Sequence, residues 1–300
     1  NVSSVTLDQS RWGLSVPVSN SYAYVIGGCT SGNAPTCNTG GSDATITTFQ
    51  IYNNDSGTPA GYTTTSTCGS GPCTATSSWY DPNYLYRQPV TISSSMVSGG
   101  SDLGGYPALV SVTENALKTT ANGGNVQNAN GYDIVFTDSD GVTPLSYETE
   151  YYNGTTGQLI AWVDLPTLSA SSNTGLYLYY DNSGISTFQG NVNGTWNGNY
   201  NDVLHLPNGS TLSLNDSTSN GNNGTNHGAT ATAGKIDGAA SFNGSNQYVS
   251  LPSATLPGSN NFTVSLWFKT SSDGVLFSTQ NAAICSTASS YDPMLYVDTT

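Results

Sequence analysis

Charged side chains are scarce in this chain: Asp, Glu, Lys and Arg make up 8% of its 300 residues, against about 25% in typical soluble domains. Five basic residues stand against 19 acidic ones, which gives a formal net charge of −14. A protein with no basic face cannot neutralise nucleic-acid phosphates or hold to an anionic lipid surface. This balance excludes nucleic acid as a partner and favours calcium, a hard cation that prefers carboxylate and carbonyl oxygens.

Long apolar runs are also missing, so no segment is expected to insert into a membrane. The chain has no initiator Met and no basic-then-apolar leader. Ser, Thr, Asn, Gly and Tyr must supply most of the polar surface, as in many exported β proteins. We therefore expect a piece of a longer extracellular or cell-surface protein, cut at both ends, whose partners include neighbouring domains of the same chain.

Catalytic residue patterns are sparse as well. Glycan hydrolysis usually needs two carboxylates that flank the bond, and the only Glu residues are Glu114, Glu148 and Glu150. Glu148 and Glu150 are two apart and share a strand face, where we expect a solvated or ligand-facing edge rather than a catalytic pair. His205 and His227 have no Gly-x-Ser-x-Gly motif to serve, and His205, set among apolar residues, is predicted to be a hydrogen-bonded structural residue. No enzyme is predicted in this chain.

Two buried strands and a turn are predicted in the stretch Ile236–Lys269. In Phe262–Lys269 the apolar residues alternate with Thr, Ser, Trp and Lys, the period of a strand with one face on a core. Upstream, Asn243-Gly244 lies between two strand-like segments and predicts a tight hairpin. This stretch indicates antiparallel β structure.

The segments GAASFNGSNQYV and FTVSLWFK, together with Val203–Leu206 and Asp216–Thr225, resemble the concanavalin-A-like, laminin-G-like family over about 200–300. The resemblance implies a jelly-roll β-sandwich that binds glycans or protein ligands, often with calcium. The part present is expected to stop before that sandwich closes.

Residues 79–187 resemble a bacterial surface domain of unknown function that often stands directly before a laminin-G-like domain. The resemblance rests on a Trp at position 79, a Tyr-Arg pair at 86–87, the segment YDIVFTDSDG from 132, Glu148, Trp162-Val, and a closing LYLYY. Short strands separated by Gly, Asn, Asp and Ser turns predict an antiparallel sandwich, with Trp79 and Trp162 as core anchors and a short turn over Thr113–Thr120. Asp181 departs from the pattern, where Gly is expected.

The N-terminal segment 5–60 resembles one kelch blade because its strand YAYVIGG ends in a glycine pair. An unrelated β element with a chance Gly-Gly is the alternative. Four cysteines lie in Gly- and Pro-containing loops here and in the next segment, and they favour two disulfides over a zinc site without fixing their connectivity. They are Cys29, Cys37, Cys68 and Cys73. Cys285 has no evident partner.

Calcium, the one candidate cofactor, has three candidate locations. Asp138 and Asp140 share a turn, and Asp216 begins a loop with partial EF-hand spacing. Asp292 lies in a segment that resembles the calcium-binding part of pentraxin-type sandwiches. An ordinary turn or loop is the alternative interpretation for the first two.

Ligand contacts are predicted at Trp267, Tyr248 and Asn243, because aromatic faces and amides recognise sugars. These residues would serve a glycan or a surface-protein ligand.

The sequence thus predicts an all-β chain of antiparallel sandwiches, jelly-roll and concanavalin-A-like, after a kelch-like propeller blade. Its expected function is a non-catalytic extracellular adhesion or carbohydrate-binding region of a larger surface protein. The alternatives are an accessory binding region of a secreted glycoside hydrolase or oxidase, and a purely structural stalk of repeated sandwiches. The predicted parts are a blade at 1–62, a linker at 63–78, a sandwich at 79–187, a linker at 188–199, and the laminin-G-like part at 200–300.

Overall fold

A computed structural model describes residues 79–256, 261–282 and 289–298, together with three short strands nearer the N-terminus. These strands are β1 (Thr45–Ile46), β2 (Thr64–Thr67) and β3 (Thr76–Ser77). They form one antiparallel sheet in the order β1-β2-β3, and the last two lie within the predicted linker at 63–78. The other residues of the predicted kelch-like blade lie outside the described residues, as do the cysteines at 29, 37, 68, 73 and 285.

Two three-stranded antiparallel sheets make up residues 86–180. Their strands are β4 (Tyr86–Ile92), β5 (Leu103–Thr113), β6 (Val135–Asp138), β7 (Tyr147–Asn153), β8 (Gln158–Leu168) and β9 (Thr174–Tyr180). One sheet has the order β4-β9-β6 and the other β5-β8-β7. The prediction of an antiparallel all-β chain is confirmed.

Both sheets contribute to one hydrophobic core. On β8 the side chains of Leu159, Ala161, Val163 and Leu165 are buried in that core with side chains of the other sheet, since alternate residues of a strand point to the same face. Trp79 belongs to the same core and its ring lies 5.1 Å from that of Tyr179. The prediction of Trp79 as a core anchor is confirmed.

The opposite face of the β5-β8-β7 sheet carries a different set of side chains. Trp162 lies between Ala161 and Val163 on β8 and is half-buried outside the core cluster. On β7 the register shifts between Thr149 and Tyr151, so that Glu150 is the extra residue of a β-bulge. Bulges re-aim side chains, and here the bulge affects the position of a carboxylate.

Asp133 joins two loops by hydrogen bonds at one end of these sheets. Its carboxylate is fully buried and accepts hydrogen bonds from the backbone N–H groups of Gln127, Asn128, Asp181 and Asn182. Asp181 has a φ of +68°, in the left-handed region where glycine is favoured. Asp181 therefore adopts the left-handed conformation that the expected Gly would adopt in the closing turn. The hydrogen bonds from the N–H groups of Asp181 and Asn182 to Asp133 stabilise this conformation.

Helical structure is limited to short pieces. Single 3-10 turns occur at Ser94–Met96, Asn115–Leu117, Thr120–Asn122 and Ser253–Thr255, and one four-residue helix, α1, spans Val192–Thr195. The turns at 115–117 and 120–122 fall in or beside the predicted turn. Of the helices in the described part of the chain, none has the length and apolar character that a membrane crossing requires.

Four short strands follow the sheets and form two antiparallel pairs, which we call the ribbon. Their pairing differs from the predicted hairpin. The strands are β10 (Thr225–His227), β11 (Thr230–Ala233), β12 (Gly238–Ser241) and β13 (Tyr248–Ser250). β12 pairs with β11 and β13 pairs with β10. The predicted hairpin, in which the segments on either side of Asn243-Gly244 pair with each other, is therefore wrong. The turn at 234–237 joins the paired strands β11 and β12, whereas Asn243-Gly244 lies in the connection between β12 and β13, which do not pair.

The remaining described strands, β14 (Gly274–Gln280) and β15 (Tyr291–Val297), pair antiparallel. Between them and the ribbon, residues 261–270 carry no assigned strand, and the predicted inward face at 262–269 is exposed. Phe262 is 43% exposed and Phe268 54%. The prediction that this face packs on a core is not met by the described residues, because none of their sheets covers it.

Candidate functional site

The imidazole of His205 lies between two carboxylates. Its Nε2 is 3.0 Å from Glu148 Oε2, and its Nδ1 is 3.2 Å from Glu150 Oε2. The side chains are nearly closed to solvent, with 12% of His205, 13% of Glu148 and 3% of Glu150 exposed. Buried charges are stable only when they are paired and hydrogen-bonded, and this arrangement pairs both nitrogens of the ring.

Three further donors complete the cluster. The indole N–H of Trp196 donates to Glu148 at 2.8 Å, and the indole N–H of Trp162 donates to Glu150 at 2.6 Å. Ser217 Oγ donates to the second oxygen of Glu148 at 2.7 Å. We call this cluster the His205 junction. It consists of Glu148, Glu150, Trp162, Trp196, His205 and Ser217.

The aromatic rings shield the junction. The ring centroids of Trp162 and Trp196 are 5.3 Å apart, and the centroid of His205 lies 5.6 Å from that of Trp196 and 6.1 Å from that of Trp162. Exclusion of water lowers the local dielectric constant and strengthens the attraction between a protonated imidazole and the carboxylates. The rings therefore reinforce the ion pairs that they cover.

The pKa of His205 follows from this setting. Burial alone would lower the pKa of His205, but the hydrogen bonds and charges of Glu148 and Glu150 outweigh that effect and raise it from 6.5 to about 9. Burial would raise the pKa of Glu148, whereas the hydrogen bond and charge of His205, together with Trp196 and Ser217, hold it below its usual value. At neutral pH the imidazolium is thus the positive centre of the junction.

Residues from three stretches of the chain meet here. Glu148 lies on β7 opposite Trp162 on β8, and the bulge lets Glu150 reach the same cluster. Trp196 directly follows α1, whose N-cap Asn191 accepts a hydrogen bond from the N–H of Gly194. The outer face of the β5-β8-β7 sheet is therefore covered by the segment that follows the sheets in sequence.

A loop after the helix holds the other two members. An isolated antiparallel bridge joins Leu204 to Asp216, next to His205 and Ser217 respectively. The Asp216 carboxylate accepts from the N–H groups of Val203, Thr218 and Asn222. These bonds fix the backbone on which His205 and Ser217 stand.

The geometry of the junction suits a structural ion pair between two parts of the chain rather than proton transfer. Both imidazole nitrogens are engaged by carboxylates, and those carboxylates lie on opposite sides of the ring rather than around a common point. Among the residues that the structure describes, no group of three or more His, Cys, Asp or Glu is placed to bind a metal ion. The chemistry that this geometry supports is a salt-bridged contact between two parts of the chain.

Three sequence predictions bear on the junction. The prediction of His205 as a hydrogen-bonded structural residue is confirmed. The prediction that Glu148 and Glu150 form a solvated or ligand-facing edge is wrong, because His205 and two indoles cover them. Trp162 is not in the core as predicted, since it lies on the outer face and packs against Trp196.

The predicted calcium residues Asp138 and Asp140 organise their own turn. Asp140 accepts from the N–H groups of Val142 and Thr143 and from the Thr143 hydroxyl. Asp138 accepts from the N–H of Ser139 through one carboxylate oxygen. Asp292 pairs with Thr279 on the backbone, and its side chain lies outside the described residues.

The predicted ligand residues have separate settings. Trp267 is 73% exposed, and Lys235 Nζ lies 5.8 Å from its ring centroid. Tyr248 stacks on His227 with centroids 4.2 Å apart. Asn243 is exposed and caps its own turn through the N–H groups at 245 and 246. Their role in ligand binding stays a prediction.

Comparison with known proteins bears on the same region. Residues 130–205 match the model of DUF2341, a domain of unknown function. The match covers about a quarter of the chain and ends on His205, so it includes every member of the junction except Ser217. No curated protein and no solved structure matches the chain, and the comparisons give no support for the concanavalin-A-like, laminin-G-like or kelch resemblances.

Proposed function

We propose that this chain is a non-catalytic extracellular adhesion or carbohydrate-binding region of a larger surface protein. The observation that carries the proposal is the closed His205 junction. It uses the two neighbouring Glu residues and the buried His as structural partners of one another. A general acid or base must reach its substrate, and protein encloses most of these groups, with at most 13% of any one side chain exposed.

The architecture that we propose for this function is a pair of β-sandwiches. In the first, the two sheets of residues 86–180 pack on their common core. In the second, the ribbon and the β14-β15 pair belong to a laminin-G-like jelly roll over 200–300. A small core of Leu212, Leu214 and Ala229 supports the second unit.

A structural stalk is the second candidate, and the junction favours it as well. His205 and Ser217 come from the segment after the first sheets, and they bind Glu148 on one of those sheets. A buried salt bridge between successive units limits their relative motion. A stalk would need such contacts but no ligand.

The test of the proposed function is glycan binding together with the absence of hydrolysis. The purified chain is applied to an array of neutral and acidic glycans with calcium present, and reducing-end release is measured on the glycans that bind. Binding without release is the expected result. Glycan cleavage by the chain contradicts the proposal, and a chain that binds neither glycans nor proteins of a cell-surface extract supports the stalk.

Calcium belongs to this proposal at Asp216. Its neighbour Asp202 has one carboxylate oxygen that is buried without a hydrogen-bond partner. Burial, and then the charge of Asp216, raise the pKa of Asp202 to about 6. Only this oxygen of the Asp202–Asp216 pair lacks a hydrogen-bond partner, since Asp216 accepts hydrogen bonds from its own loop. A calcium ion held by the two carboxylates would therefore take most of its six to eight oxygen ligands from water or backbone carbonyls.

Replacement of Asp202 by Asn separates a calcium site from simple charge repulsion. A carboxyl whose pKa is raised by folding lowers the stability of the folded state once it is ionised. Without calcium, Asp202→Asn should therefore raise the free energy of unfolding at pH 7 by roughly 1 kcal/mol after solvent screening, which corresponds to a melting temperature a few degrees higher. This gain should vanish as the pH falls below about 4. If calcium binds, it should raise the melting temperature of the wild type and not of the variant. Equal melting temperatures of the wild type in calcium and in chelator would contradict the calcium proposal.

A further inference from the structure

A polar cleft opens between the two sheets at the end where β6 and β8 finish. Its volume is about 280 Å³. Asp138 ends β6, and the cleft continues past β8 to the start of β9. The lining residues are Asp138, Ser139, Leu165, Pro166, Thr167, Asn173, Thr174 and Gly175.

Two side chains of this lining keep hydrogen-bonding capacity. Asp138 Oδ1 accepts from the N–H of Ser139, and Asn173 Oδ1 accepts from the N–H of Ser94 at 3.1 Å. In the described part of the chain no hydrogen bond engages Asp138 Oδ2 or Asn173 Nδ2. One strong acceptor and one donor are therefore available to a ligand.

The rest of the lining suits a small ring with hydroxyl groups. The exposed Pro166 provides an apolar surface at the cleft, backed by the buried Leu165, while the hydroxyls of Ser139 and Thr167 add polar contacts. A sugar ring presents C–H groups on its faces and hydroxyls at its edge, so it needs both kinds of contact. One carboxylate is too few for a calcium ion, which takes six to eight oxygen ligands.

We propose that this cleft binds one neutral hexose ring, with Asp138 Oδ2 accepting a sugar hydroxyl and Asn173 Nδ2 donating to another. The volume of about 280 Å³ lies just below the roughly 300–1,000 Å³ of small-molecule sites, so the proposed ligand is a single sugar ring or a glycan end. The proposal rests on the carbohydrate-binding function proposed above. It places that function on the first unit rather than at Trp267, Tyr248 and Asn243.

The test is a titration followed by NMR. The methyl glycosides of glucose, galactose, mannose and N-acetylglucosamine are added to the isotope-labelled full chain, and the Asn173 side-chain amide and the Gly175 backbone amide are monitored. Saturable shifts of both signals with at least one glycoside are expected. No shift with any of the four at 50-fold excess over the ~1 mM dissociation constant expected of such a small polar site overturns the proposal.

Variants assign the binding to the cleft. Asp138→Asn removes the carboxylate and should weaken binding at least tenfold. Gly175→Val should abolish binding by filling the cleft, and β9 should accept it because a Cβ there meets only Ser139 Cβ, at 3.9 Å. Asp140→Asn is the matched control, since Asp140 belongs to the same turn but does not line the cleft. It should leave the affinity within twofold.

These variants also separate the two proposals. If the chain binds glycans on the array and Asp138→Asn and Gly175→Val bind them equally well, the cleft assignment fails and the proposed function stands. If the glycosides shift the cleft signals but the chain cleaves the glycans that it binds, the non-catalytic function fails and the cleft assignment stands.

Discussion

Replacement of His205 by Ala is expected to destabilise the contact between the β5-β8-β7 sheet and the 192–217 segment by about 3–5 kcal/mol. Removal of one partner from a buried salt bridge leaves the remaining charges uncompensated. In this case two carboxylates would remain, one of them 13% and the other 3% exposed. The expected outcome is opening of the junction while the core between the sheets stays folded.

Hydrogen exchange measures this opening at single residues. The N–H of Thr195 bonds to the carbonyl of Asn191 beside the junction, whereas Val163 lies in the core. At Thr195 the exchange rate should rise by roughly 10²- to 4 × 10³-fold in His205→Ala. At Val163 it should stay near the wild-type rate.

His227→Ala is the matched control, because His227 is exposed and bonds to Ser250 away from the junction. Its effect should stay within about 1 kcal/mol. In the His205→Ala background, Glu148→Gln should restore part of the lost protection by removing the repulsion between the carboxylates. Unchanged exchange at Thr195 in His205→Ala would show that the junction contributes no stability.

The second large effect is a dependence of stability on pH. The folded pKa of His205 is about 9 and the reference value is 6.5, so the stabilisation is fully present below pH 6.5 and is lost as the pH rises through 9. The shift corresponds to about 3 kcal/mol. Chemical unfolding between pH 6 and pH 9 should show most of this loss in the wild type.

Glu148 sets the acid limit of the same contact. Its pKa is lowered in the folded state, so its contribution is present above its usual pKa of 4.5 and is lost as the pH falls through the lowered value. The junction should therefore be most stable between about pH 4.5 and 6.5. In His205→Ala the loss between pH 6 and pH 9 should be absent, and a loss of the wild-type size over that range in the variant would assign it to another group.

Much of the first unit can be predicted from the sequence because its strands carry local signals. The alternation on β8 and the turns that bound it are enough to identify a strand from the residues alone. The same kind of local signal predicts a hairpin tip at Asn243-Gly244 and a core strand at 262–269. Both of these predictions fail because strand pairing and coverage depend on which other segments lie opposite.

The His205 junction cannot be predicted in this way. His205 and Glu148 are 57 residues apart, and neither carries a local pattern that indicates the other. The scarcity of Glu is a weak signal, since two of the three Glu residues occur two apart in one strand. Only the packing of the 192–217 segment on the sheet turns that pair into an enclosed site.

The junction also changes how the first unit is delimited. The predicted linker at 188–199 contains α1 and Trp196, and Trp196 is 6% exposed. The DUF2341 match likewise continues through this stretch to His205. Residues 188–199 therefore pack as part of the unit that they follow, and truncation near residue 187 should expose Glu148, Glu150 and Trp162.

The most direct test of the central claim is the pKa of the His205 imidazole in the wild-type chain. The chain has two His residues, so His227→Ala assigns the two ring signals in an NMR titration from pH 5 to pH 10. A His205 pKa of about 9 is the predicted result, because two carboxylates hold the charged ring. A value at or below 6.5 would show that burial dominates and that the salt-bridged junction does not form.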